Sequence, residues 1–114
     1  MISIATKEQA IDALSDRDIK FGDAAKIYLV SVDGSNMLFT ITEINDKSAE
    51  VHLCCKKEHV KMCRVMANEV VKFVKFLGYD TIYTSASGEY KTAQNMAKKL
   101  GFEDIGNNIY RLEV

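Results

Sequence analysis

Proline is absent from the 114 residues, and no glycine- or serine-rich linker takes its place. Punctuation must come from six glycines and from turn dipeptides, and nothing marks a boundary between domains. No apolar run reaches the roughly 18 residues that a membrane-crossing helix needs. The opening MISIATKEQAIDAL lacks the basic start and apolar block of a secretory leader. A soluble, cytoplasmic chain with no membrane partner is expected. Cysteine is scarce: Cys54, Cys55 and Cys63 are an odd number with no distant partner to staple, so a disulfide framework is not expected. Net charge is also scarce, and −1 argues against a general coat for nucleic acid.

What is present is enough for one core. Apolar residues make up 47% and charged residues 27%, so ordering the chain can be offset by burial, and a single domain over 1–114 is expected. The charge is uneven. Residues 1–50 hold nine acids and five bases, net −4, and residues 51–114 hold ten bases and seven acids, net +3. The densest basic cluster is Lys56, Lys57, Lys61 and Arg64, interrupted by Glu58. Binding of nucleic acid would need aromatics for base stacking beside those charges, and residues 54–72 contain none, so nucleic acid is not an expected partner.

The hydrophobic periods give an order of elements. Ile2 and Ile4 alternate as a first strand would, and Thr6 with Gln9 fits a capping box ahead of a helix at about 7–15. A polar loop follows. KIYLVSV at 26–32, the tight-turn pair Asp33-Gly34 and the run Met37–Ile44 predict a hairpin. A fourth strand follows the turn at Asn45–Lys47, with Ala49, Val51, Leu53 and Cys55 alternating against Glu50, His52 and Cys54. The period then becomes 3.6: Cys63, Met66, Ala67, Val70, Val71, Val74 and Leu77 make one face of a helix over 59–77, which Gly78 ends. TIYTSAS reads as a buried strand, Ser85 or Ser87 as an N-cap, and Tyr90–Leu100 as a second amphipathic helix closed by Gly101. Phe102–Ile105 and Ile109–Leu112 finish the chain as strands around Gly106-Asn107-Asn108. A helix between two strands implies a parallel pair, so the class is α+β, or α/β with a mixed sheet.

This order, with the stretches Leu77-Gly78-Tyr79, Thr81-Ile82-Tyr83, Ala93 and Lys99-Leu100-Gly101-Phe102, resembles the GNAT N-acetyltransferase superfamily over the last two thirds of the chain. The resemblance implies a mostly antiparallel sheet splayed between its fourth and fifth strands, with acetyl-CoA as cosubstrate, an amine as acceptor and no metal. In that family the CoA pyrophosphate sits on a basic-x-x-Gly-x-Gly/Ala turn opening the long helix, where backbone amides and the helix dipole meet the anion. Here the two glycine positions hold Lys61 and Cys63, so Lys57, His59, Lys61 and Arg64 would have to hold phosphate through side-chain charge. Many members also carry a tyrosine that protonates the leaving thiolate, and this chain has Ala97 at that position. Tyr90 is the candidate for a displaced acid, although it lies about two helical turns away.

Glu50 and His52 share the outer face of the fourth strand and are the candidate general bases, against the plainer reading of an exposed polar pair. Cys55-x3-His59-x3-Cys63 could be read as a zinc site, but Cys54 and Cys55 point to opposite strand faces and no Cys-x2-Cys knuckle exists, so metal is not expected. Two functions follow. One is a small, divergent acyl-CoA-dependent N-acyltransferase. The other is a GNAT-derived protein that has lost catalysis and binds other proteins, resembling bacteriophage virion or head-assembly proteins of this fold, which would place it in host cytoplasm or in a virion. The acceptor, the protein partner and self-association stay open at this level.

Overall fold

The computed structural model of the protein describes residues 2–6, 8, 26–54, 61–86 and 91–114. Apart from Glu8, the helix expected at 7–15 lies outside the described residues, as do the polar loop after it, Cys55, Lys57, His59, Ser87 and Tyr90. The described strands are β1 (Ile2–Ile4), β2 (Lys26–Val32), β3 (Ser35–Glu43), β4 (Ser48–Cys54), β5 (Thr81–Ser85), β6 (Glu103–Asp104) and β7 (Ile109–Glu113). Helix α1 spans Cys63–Phe76 and helix α2 spans Lys91–Lys99. The strands form one seven-stranded sheet in the order β1-β2-β3-β4-β5-β7-β6. Every neighbouring pair is antiparallel except β4 and β5, which are parallel, as the intervening helix requires. The expected mixed, mostly antiparallel α+β architecture is therefore the one observed.

The hairpin β2–β3 turns on two residues with positive φ, Asp33 at 50° and Gly34 at 80°, the pattern of a turn whose twist matches its strands. Pairing resumes at once, Val32 opposite Ser35, so β3 begins two residues earlier than the hydrophobic pattern alone suggests. α1 buries Met66, Ala67, Val70 and Val74 against the sheet, one stripe at 3.6-residue spacing. Leu77, expected on that stripe, is instead the C-cap and 45% exposed, because the chain leaves the helix there into Gly78 at φ 104°. Phe73 carries the packing towards the far strands, edge-on to Tyr28 and Phe39 at ring separations of 5.5 and 6.0 Å. The main core thus lies between α1 and the face of β2–β5 that presents Val30, Met37, Phe39, Val51 and Ile82. The opposite face carries a smaller cluster, Leu29 and Leu38 with Ala5 and Ile27, and the buried Thr40.

Ser85 is not an N-cap. It is the last residue of β5, opposite Ile109, within the stretch read as a strand, and the other serine offered as an N-cap, Ser87, lies outside the described residues.

Candidate active site

β4 and β5 pair over three rungs only, Ser48 to Thr81, Ala49 to Ile82 and Glu50 to Tyr83. Each strand then follows its own antiparallel partner. β4 stays with β3 as far as Cys54, and β5 stays with β7 as far as Ser85, where the Ala86 amide bonds to the Asn108 carbonyl at 2.9 Å. The two strands separate beyond the Glu50–Tyr83 rung, and a cavity of about 110 Å³ occupies the opening. Val51 and Leu53 line one wall, Ile82 and Thr84 the other, and α1 and α2 roof it. The roof leaves space because three of its contributors are alanines, Ala67, Ala93 and Ala97. Ala97 is buried, in one cluster with Ala86 and Tyr110.

Alternation along β4 sends Ala49 and Val51 into the core under α1 and turns Glu50 and His52 to the other face. The sequence expectation that these two share a face holds, and they also meet: His52 Nε2 and Glu50 Oε1 are hydrogen-bonded. Their side chains are 35% and 46% exposed, so the pair is reachable from solvent while partly shielded from it. His52 also reaches the cavity lining at the opening between the strands. An imidazole held by a carboxylate beside an apolar cleft can accept a proton from an approaching amine, and the carboxylate stabilises the cation that forms.

The same face continues into residues that the sequence reading did not single out. Tyr83 stands on the rung of Glu50, and Arg111 on the rung of Tyr83. Arg111 Nη2 donates to Glu103 Oε2 at 3.2 Å. The guanidinium is held protonated above its ordinary value, first by the hydrogen bond and charge of Glu103 and then by Tyr83. Rung pairing across β4, β5 and β7 makes this row. Its members lie far apart in sequence, so only the strand order could have revealed it.

At the other end of the opening, Lys61 and Met62 form a short 3₁₀ turn leading into Cys63, the first residue of α1. The N-cap Met62 makes no side-chain capping bond and the first turn of α1 carries no acid, so no carboxylate within that turn offsets the positive end of the helix dipole. Lys61 and Arg64 are exposed at this turn. Lys57, His59 and Tyr90, the other residues singled out for phosphate and proton transfer, lie outside the described residues. Among the described residues no group of three or more His, Cys, Asp or Glu is placed to hold a metal ion, and no helix is long and apolar enough to cross a membrane.

No protein-family model matches the sequence, and no curated protein matches it. Solved structures do match. A GNAT family acetyltransferase from Elizabethkingia anophelis, solved with acetyl-CoA bound, superposes with a TM-score of 0.77 over 100% of this chain and 97% of its own, at 11% identity. The ribosomal-protein-S18-alanine N-acetyltransferase of Escherichia coli gives 0.75 over 100% and 93%, also at 11% identity. The Campylobacter jejuni N-acetyltransferase PseH in complex with acetyl coenzyme A gives 0.73 over 99% of both chains at 18% identity. The chain has the GNAT acetyltransferase fold.

Proposed function

We propose that this protein is a divergent acyl-CoA-dependent N-acyltransferase acting on a primary amine, with residues 1–114 as one catalytic domain. The observation that carries the reading is the apolar cavity where β4 and β5 part, with the hydrogen-bonded Glu50–His52 pair at its edge. The pyrophosphate of acetyl-CoA would rest at the start of α1 on Lys57, His59, Lys61 and Arg64. With Lys61 and Cys63 in place of the glycines usual in this fold, binding there depends on side-chain charge more than on a nest of amides. The arm would run from α1 down the opening, bringing the thioester towards the Glu50–Tyr83 rung. The amine gives a proton to the His52–Glu50 pair and its nitrogen attacks the thioester carbonyl. The carbon–sulfur bond then breaks, and CoA leaves as thiolate. Tyr90 is the candidate proton donor to the leaving thiolate.

A non-catalytic, protein-binding derivative, of the kind bacteriophage virion or assembly proteins use, is favoured by a separate observation. Phe76 is 83% exposed, with Leu77 at 45% and Ile44 at 52%, at the end of the sheet away from the opening. Calorimetric titration with acetyl-CoA and desulfo-CoA separates the two readings. Micromolar binding of both that is lost in the Lys61→Glu, Arg64→Glu double variant supports the acyltransferase. Absence of binding in the unmodified protein supports the derivative.

A further inference from the structure

The cavity between β4 and β5 is apolar on almost every side. Among the described residues that line it, only His52, Thr84 and Ser85 have a side chain that can donate or accept a strong hydrogen bond. His52 is on the β4 wall and the two hydroxyls are on the β5 wall. The strand alternation separates the hydroxyls. Ile82 packs in the core under α1 and Ala86 clusters with Ala97, so Thr84, between them at even spacing, faces the helices. Its rung partner Tyr110 belongs to the Ala97 cluster as well. Ser85 has the opposite parity, shares the outer face with Tyr83, and is exposed. Thr84 also stands one residue beyond the last β4–β5 rung, where the opening begins.

We infer that Thr84 is the group that hydrogen-bonds the leaving sulfur of CoA, from the same side of the cavity as Ala97, where relatives of this fold place a tyrosine. The inference rests on the acyltransferase reading and deepens it. When the amine nitrogen has bonded to the acyl carbon and the carbon–sulfur bond breaks, the electron pair stays on sulfur. The amine proton has gone to the His52–Glu50 pair. Thr84 keeps its own proton and donates a hydrogen bond to the thiolate, whose proton comes afterwards from the candidate donor Tyr90 or from solvent. A thiol titrates at about 8.5, so its anion is a fair leaving group for which one well-placed donor is sufficient help. The apolar walls push the other way, since burial disfavours the anion. Among the described lining residues His52 is the one with a titratable side chain, and it belongs to the outer face with Glu50, so it is placed for the amine rather than for the sulfur.

The test uses free CoA, so it needs no knowledge of the acceptor. The thiol of bound CoA is titrated by the ultraviolet absorbance of its thiolate, with the desulfo-CoA complex as blank. Thr84→Val, which keeps the shape and removes the hydroxyl, is expected to raise the midpoint by about one to two units, the size of one charge-assisted hydrogen bond. Thr84→Ser should stay within a fraction of a unit of the unmodified protein, and so should Ser85→Ala. An unchanged midpoint in Thr84→Val, with CoA still bound, overturns this inference and leaves the acyltransferase reading standing. A rise in Ser85→Ala instead of Thr84→Val overturns it in the same way. Failure of the unmodified protein to bind CoA overturns both.

Discussion

If the cavity is kept open for a ligand, it lowers stability, and filling it should raise stability while removing binding. Ala97→Leu makes this measurable, because Ala97 is buried on the cavity roof beside Ala93 and Met96. Leucine adds three carbons, worth about 0.8 kcal/mol each when buried, or about 2.4 kcal/mol in all. The cavity volume gives a similar figure: 110 Å³ at about 24 cal/mol per Å³ is about 2.6 kcal/mol. Both are ceilings, since the added side chain loses rotamer freedom and the opening between the strands admits solvent. A gain of about 1–2 kcal/mol is expected. In urea unfolding this should appear as a higher midpoint at unchanged slope, by roughly 0.5–1 M. Acetyl-CoA affinity, measured by calorimetry on the same preparation, should fall by about tenfold or more. Destabilisation by about 1–3 kcal/mol is the signature of overpacking, and would show that the space is not there to be filled. Affinity unchanged in a stabilised variant would show that the space is real and that CoA does not use it.

Three further outcomes follow from the site and its surroundings. Glu50→Gln and His52→Ala should each lower acyl transfer by about 10² or more, the scale of acid–base assistance, with acetyl-CoA affinity within a few fold of the unmodified protein; a loss of affinity as large as the loss of rate would remove them from the chemistry. Acetyl-CoA binding should weaken steeply between low and physiological salt, because Lys61 and Arg64 are exposed and charges at a surface are screened over about 8 Å at 0.15 M; salt-independent binding would move the pyrophosphate away from the start of α1. Tyr79 donates to Glu43 Oε1 at 2.9 Å, and this bond, followed by burial and the Glu43 charge, holds its phenol above the ordinary value of 10.0. The folded state therefore keeps that proton more tightly than the unfolded chain. The stabilisation is complete below pH 10 and is lost as pH rises through the raised native value, so urea midpoints should fall more steeply at high pH than they do in Tyr79→Phe.

How far the site could be read in advance depended on the range of the interactions that make it. The facing of Glu50 and His52 follows from a period of two within one strand. The buried stripe Met66, Ala67, Val70 and Val74 follows from a period of 3.6 within one helix. Both are local, and both were legible. The end of α1 was read less well: Gly78 marked it, but periodicity could not tell that Leu77, one residue earlier, already lies outside the packed face. Ser85 was left open between strand and N-cap because a serine before a helix and a serine ending a strand look alike until its opposite neighbour, Ile109, is known.

The cavity was out of reach for a stronger reason. It exists because β4 follows β3 while β5 follows β7, and because alanines from two separate helices meet over the gap. No single segment contains that information. In the sequence, Ala97 stands for a missing tyrosine and therefore for lost acid catalysis. In the fold, the same alanine is a wall of an apolar space, and Thr84, which lines that space too, lies just past the Thr81-Ile82-Tyr83 stretch with nothing in the sequence to single it out. Loss of one donor and gain of another are opposite conclusions drawn from one position. The titration of bound CoA with valine or serine at position 84 decides between them, because only a donor contacting sulfur makes that midpoint depend on the hydroxyl.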